Sequence, residues 1–178
     1  MLKIDIPKIE LYDSKKEEFI NFDPITVTFE HSLVSMAKWE SKWHKPFLSR
    51  EKHTDAELRD YIRCMTLTQN VNQEIYNYLP PELVRQINDY IDDPMTATKF
   101  FEKSPTGQNK VITNEIIYYW MIALGIPFEC QKWHLNRLLT LIRVCEAKNN
   151  PKKMSQKDIY AQNRSLNALR RKAMKSKG

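Results

Sequence analysis

Hydrophobic and polar residues alternate from the first positions of the chain. Leu2, Ile4 and Ile6 alternate with Lys3 and Asp5, and Ile9 and Leu11 keep the phase beyond Pro7 until the polar run DSKKEE interrupts it ahead of FINF. A period of two with a polar break reads as a β-hairpin. Ile25, Val27 and Phe29 alternate with Thr26, Thr28 and Glu30 and predict a further strand, since β-branched threonines suit a pleated surface. About three short antiparallel strands are therefore expected over residues 1–30.

At Ser32 the period changes. Leu33, Met36, Trp39 and Trp43 recur at helical steps until Pro46, whose ring disfavours a helical Lys45, so the spacing predicts a helix over 32–44. Thr54 and Glu57 have the spacing of a capping box, and Leu58, Tyr61, Ile62 and Met65 form the buried stripe of a second helix that Asn70 to Asn72 ends or bends. Pro80 and Pro81 precede a third, carrying Leu83, Val84, Ile87, Tyr90 and Ile91, and Asp92 with Asp93 reads as the turn that stops it before Pro94. The aperiodic stretch EKSPTGQN between Phe101 and Lys110 is an exposed loop by its composition.

Thr113 can cap NEIIYYWMIAL, which is apolar almost all round and is expected to be the central helix, with Gly125 as its C′ residue and Pro127 behind it. From Phe128 to Ala147, Trp133, Leu135, Leu138, Leu139, Leu141, Ile142 and Cys145 mark one long amphipathic helix packed back across the GIP turn. NNPKKM then breaks the pattern. Ser155 and Asp158 resemble another capping box before IYAQNRSLNALRRKAM, where only Ile159, Leu166, Leu169 and Met174 are large and apolar. So thin a stripe buries little, and the segment is expected to be mobile until it meets a partner. The fold expected is α+β and mainly α: a single α-rich domain over 1–147, with strands in 1–30 and a bundle of about five helices in 32–147, then a basic C-terminal helix or extension over 148–178.

Composition narrows the chemistry. A chain of 178 residues that is 42% hydrophobic can build one real core. With only 3 glycines it has little room for phosphate-cradling loops, and it carries no G-x-G-x-x-G, P-loop, H-E-x-x-H or G-x-S-x-G motif. Neither a catalytic residue nor a cofactor is expected, and the reading is non-enzymatic. Cys64, Cys130 and Cys145 are odd in number, far apart and without a CxxC spacing, which suits buried thiols in a reducing compartment. Cys130 and His134 would share a helical face and could hold a metal or activate a thiolate; two ligands do not make a site, and His31, His44 and His53 could complete it only by assumption. No metal is expected. The chain lacks an apolar run near the roughly 20 residues that span a bilayer, so a cytosolic protein without a membrane partner is expected.

The net charge of +6 is unevenly placed: Lys148 to Gly178 carries ten Lys/Arg against one acid, Asp158, and the rest carries eighteen against twenty-one. A slightly acidic body thus bears a strongly basic tail, and arguments about polyanions apply to the tail alone. Ten cations could neutralise nucleic-acid phosphates, but with Tyr160 as their one aromatic they lack a single-strand platform, and an acidic protein surface is the rival partner. Trp39 and Trp43 have two readings. Either they pack over the strands while Lys38, Glu40 and Lys42 reach outward, or they join Phe47 in an apolar anchor for a partner. The candidate partner-binding residues are Trp39, Trp43 and Phe47, with Arg164, Arg170, Arg171 and Lys172 steering an acidic partner by long-range attraction. Tyr118, Tyr119 and Trp120 are consecutive, so at least one must leave the core for a second layer or a partner. Met36, Met65, Met95, Met121, Met154 and Met174 read as core filler or as a repackable binding face.

Three stretches, TFEHSLVSMAKWESKWHKPFL, YIRCMT and ITNEIIYYWMIALGIPFECQKWHLNRLLTLIRVC, cover just over a third of the chain and resemble small tail assembly chaperone-like proteins of long-tailed bacteriophages. The resemblance implies a helper in the host bacterial cytoplasm. It would keep the long tape-measure protein soluble, assist assembly of the tail-tube protein around it, and not remain in the finished virion. Self-association and a longer frameshifted product from the same message are open beside this. The alternatives are a virion structural protein, such as a head-tail connector or tail component, and a basic-tailed DNA-binding accessory protein.

Overall fold

A computed structural model describes residues 1–13, 17–49, 51–98 and 111–149, together with Tyr160, Asn163, Arg164, Asn167, Arg170, Arg171 and Met174. The loop expected between Phe101 and Lys110 and the capping box expected at Ser155 and Asp158 lie outside these residues. The chain divides into two compact units, Met1–Arg143 and Val144–Gly178.

Four strands open the first unit: β1 (Leu2–Ile6), β2 (Ile9–Asp13), β3 (Glu18–Phe22) and β4 (Ile25–Phe29). β1 pairs with β4 and β2 with β3, both antiparallel. Leu2 faces Phe29 and Ile9 faces Phe22, so both ladders share one register and Pro7 falls opposite Pro24. Each proline lacks the N–H that a ladder needs, and one long ribbon is thereby cut into two short ones. The strand expected at 25–29 is therefore the return of the first hairpin rather than a separate third strand. Ile4, Ile6, Val27 and Phe29 face inward as the alternation predicts.

Five α-helices follow. α1 (Leu33–Trp43) starts where the Ser32 side chain accepts the Ser35 N–H, and it ends at His44, whose backbone is left-handed at φ 53°. α2 (Asp55–Met65) carries the predicted capping box in full, with Thr54 and Glu57 each accepting the other's backbone N–H. A 3₁₀ turn, Gln73–Asn77, which the periodicity did not show, leads to α3 (Pro81–Asp92). The Asp93 carboxylate then accepts the Met95 N–H in a side-chain-closed turn, as the paired aspartates suggested.

α4 (Asn114–Ala123) closes with Gly125 at φ 64°, where the Ile126 N–H reaches the Met121 carbonyl and the Gly125 N–H reaches that of Ile122. These two bonds make a Schellman motif, sealed by the buried Ile126 and Met121. The single helix expected from Phe128 is two elements, a 3₁₀ turn Phe128–Lys132 and α5 (Leu135–Asn149). Ser32 and His134 pair as a β-bridge and the Leu135 N–H donates to the His31 carbonyl at 2.7 Å, so a contact distant in sequence interrupts the helix.

One core cluster gathers the inner ribbon, Trp39, Tyr61, Ile62, Met65, Ile75, Tyr76, Ile87 and Tyr90. Leu33, Met36, Ile117, Met121, Leu135 and Leu138 are also wholly buried, and α1 packs against both α2 and α4. Leu58, expected in the buried stripe of α2, is exposed, and Glu57 is buried instead. α4 is not central. Ile117 and Met121 are its fully buried apolar residues, whereas Tyr119 and Ile122 are 66% and 65% exposed.

Candidate interaction surface

The WESKW stretch is a bolt between two helices. Trp39 and Trp43 stack with ring centroids 6.1 Å apart, as i, i+4 neighbours on α1 can. The Trp39 indole N–H donates to the Glu57 carbonyl at 2.9 Å and that of Trp43 to the Asp60 carboxylate at 2.8 Å, one turn further along α2. Trp39 is 0% exposed and Trp43 half-buried. Phe47 stacks on Tyr61 at 3.8 Å and on His53 at 5.2 Å. Of the anchor expected from Trp39, Trp43 and Phe47, Trp39 is corrected, since it offers a partner no surface; Trp43 and Phe47 are half-buried, with their rings against α2 and the loop before it. Asp60, on the α2 turn after the capping box, was a signal for the Trp43 contact, whereas the Glu57 backbone carbonyl that receives Trp39 leaves no trace in the sequence.

Charged groups reinforce the same seam. Glu57 accepts from Lys45 Nζ and from the Thr54 N–H, both at 2.7 Å, and these hydrogen bonds, that of Lys45 first, hold its carboxyl down to about 2. Burial pushes Asp60 upward, but hydrogen bonds from Lys42, Arg63 and Trp43 outweigh it and the net shift is down. Glu40, expected to reach outward, is buried. Its carboxylate accepts the Phe47 N–H at 2.7 Å and, from Asn114, the backbone N–H at 2.8 Å and the side-chain amide at 2.6 Å. It therefore caps α4, where the Thr113 side chain makes no capping bond.

Behind this seam lies a pair of buried histidines. His31 Nδ1 and the Tyr61 hydroxyl share a 2.6 Å hydrogen bond, and the His31 and His134 rings are 5.0 Å apart. His134 Nε2–H donates to the Tyr90 carbonyl at 2.9 Å; because a carbonyl only accepts, that nitrogen carries the proton, and Nδ1 is left without a partner among the described residues. Burial first, and the neighbouring His134 second, drive His31 down to about 3. Cys130 lies in the 3₁₀ turn and His134 at the bridge, so the expected shared helical face does not form. Burial pushes the Cys130 thiol up, and no group of three His, Cys, Asp or Glu side chains gathers as a metal site among the described residues.

Beside the exposed Leu11, Tyr12 and Phe19 of the outer ribbon, an open apolar surface lies on α4 and the turn after it. Tyr119, Ile122 and Phe128 are each more than half exposed, with the Phe128 ring 6.3 Å from that of Tyr118. The adjacency of Tyr118, Tyr119 and Trp120 signalled that one ring must leave the core, and Tyr119 is that ring. Of the methionines, Met36, Met65 and Met121 are core, Met95 and Met174 are exposed, and Met154 lies outside the described residues. In the second unit Arg164, Arg170 and Arg171 are helical and exposed, and Lys172 lies outside the described residues. No described helix is long and apolar enough to cross a membrane. Comparison of the chain with family models, curated proteins and solved structures gives no match.

Proposed function

We propose that the chain is a non-enzymatic phage tail assembly chaperone. It acts in the host bacterial cytoplasm, where it holds the apolar stripe of the tape-measure protein and assists assembly of the tail-tube protein. The observation that carries this reading is the apolar face of α4, where Tyr119 and Ile122 are exposed, with Phe128 exposed on the 3₁₀ turn that follows, on a helix whose opposite side is locked into the core by Ile117 and Met121. A long helical chain with exposed apolar residues is shielded by laying that stripe on such a face.

The three stretches that resemble phage tail chaperones support it further, because they fold against one another. His31 meets both Tyr61 and His134, Phe47 stacks on Tyr61, and Glu40 caps the helix beginning at Asn114. The likeness therefore runs through one packed body. Arg164, Arg170 and Arg171, exposed on helical residues, serve in this reading to attract acidic stretches of the partner.

The test is co-expression with the tape-measure protein. Wild-type chain keeps that protein in the soluble fraction, and Tyr119→Ser with Ile122→Ser releases it to the pellet while leaving the melting temperature of the chaperone within about 2 °C, as surface changes do. Undiminished capture by the variant would remove this face from the reading. Recovery of the chain in stoichiometric amounts from purified particles would make it a virion component instead, and retention on duplex DNA at physiological salt, lost on deleting residues 148–178, would make it a DNA-binding accessory.

A further inference from the structure

A cleft of about 560 Å³ opens between α1, α2 and the segment after α2, away from the apolar face of α4. Three cations converge on it: Lys38 and Lys42, one turn apart on α1, and Arg63 near the end of α2. A single carboxylate answers them, Asp60, which holds Lys42 Nζ at 2.8 Å and the Arg63 guanidinium at 2.7 Å. Lys38 is exposed and has no ion-pair partner among the described residues. Positive charge is therefore in surplus, in a concavity where low-dielectric walls focus it.

Neutral donors complete the lining. The Thr68 oxygen accepts the Thr28 N–H at 2.9 Å, so its own proton is free to donate into the cleft. Arg63 leans on the Gln73 side chain through Nη1 at 3.4 Å, too long to compete strongly with a charged acceptor. The volume lies within the roughly 300–1,000 Å³ of small-molecule sites and exceeds what one oxyanion fills.

We propose that this cleft binds a phosphorylated small molecule, its phosphate gripped by Lys38, Lys42 and Arg63 and hydrogen-bonded by Thr68, its body filling the remaining space toward Cys64 and Gln73. A phosphate is favoured over a carboxylate because its charge of about −1.5 to −2 near pH 7 matches the surplus, and because its oxygens can accept from several donors at once. The proposal is independent of the chaperone reading: no residue of the α4 face takes part.

The full chain is titrated calorimetrically with inorganic diphosphate, with ATP and with a polyglutamate peptide, beside Lys38→Gln/Lys42→Gln and, for the basic tail, Arg170→Gln/Arg171→Gln. Saturable binding of ATP or diphosphate that weakens at least tenfold in the α1 variant and is unchanged in the tail variant is expected. Inorganic triphosphate, titrated beside ATP, matches its phosphate chain: ATP binding tighter than triphosphate shows that the organic body is held as well; equal binding shows that the oxyanion suffices, and either supports the site. A second readout is alkylation of the Cys64 thiol, expected to slow at least threefold under saturating diphosphate while Cys145 is unaffected. Failure of all three phosphates to saturate at millimolar concentration overturns the proposal. So does binding that survives in the α1 variant but falls in the tail variant, or capture of the acidic peptide alone.

Discussion

Trp39 and Trp43 stand one helical turn apart, yet their surroundings differ. Trp39 has its whole ring in the core and its N–H on the Glu57 carbonyl, so Trp39→Ala removes both packing and the partner of a buried carbonyl. The expected cost is about 3–5 kcal/mol. Trp43→Phe keeps most of the ring and loses only the 2.8 Å bond to Asp60, an expected cost of about 1 kcal/mol. Urea unfolding of both variants checks this ranking, and a Trp39→Ala protein as stable as wild type would return that ring to the surface reading. The charged residues of the same stretch were less legible. Spacing put Lys38, Glu40 and Lys42 on the outer side, but Glu40 turns inward because two backbone N–H groups and an amide await it, two of the three supplied by Asn114, 74 residues along the chain.

Helix ends show where local chemistry decides an element and where it does not. Gly125 sits at φ 64° with open space around the position of a Cβ, so Gly125→Ala meets no neighbour and its cost is the left-handed backbone alone, about 1 kcal/mol. His44 occupies the corresponding place after α1 at φ 53°. Replacing it with glycine relieves the same strain, and His44→Gly is expected to stabilise by roughly 0.5–1 kcal/mol in thermal unfolding. In the ribbon, the proline break separates two ladders of unlike burial. Ile4 and Val27 are buried, while Leu11, Tyr12 and Phe19 on the outer part are exposed, the last two as a cross-strand aromatic pair at 5.1 Å. Amides of Leu11 and Ile20 are therefore expected to exchange with solvent at least tenfold faster than those of Ile4 and Val27. Uniform protection along the ribbon would mean that the outer ladder is covered.

At the scale of the first unit, His31 lies where the end of β4, α2 and the start of α5 meet, so its charge state bears on the whole packing. Folding lowers it from 6.5 to about 3: below pH 6.5 the unfolded chain gains a proton that the folded chain refuses. Stability is therefore full above about pH 6.5 and falls by about 1.4 kcal/mol per pH unit towards pH 3. Glu57 adds to the loss from about pH 4.5 downward, as its ion pair with Lys45 is protonated away. In His31→Gln the urea midpoint should lie lower at pH 7 but vary less between pH 6.5 and 4.5. An unchanged slope would show that another group governs acid unfolding.

What the sequence by itself determined was local. Period-two alternation placed the strands, the change of period at Ser32 and the capping box at Thr54 placed two helix starts, and Gly125 placed a helix end, because each depends on residues within a few positions of one another. The tertiary structure alone decided which side of a mostly apolar α4 is covered, that a bridge from Ser32 to His134 cuts the fifth helix short, and that Lys38, Lys42 and Arg63 face one cleft. Those outcomes rest on contacts between residues tens of positions apart, whose pairing no periodicity encodes, so the same apolar or charged residue can be core, seam or open surface until the distant partner is in place.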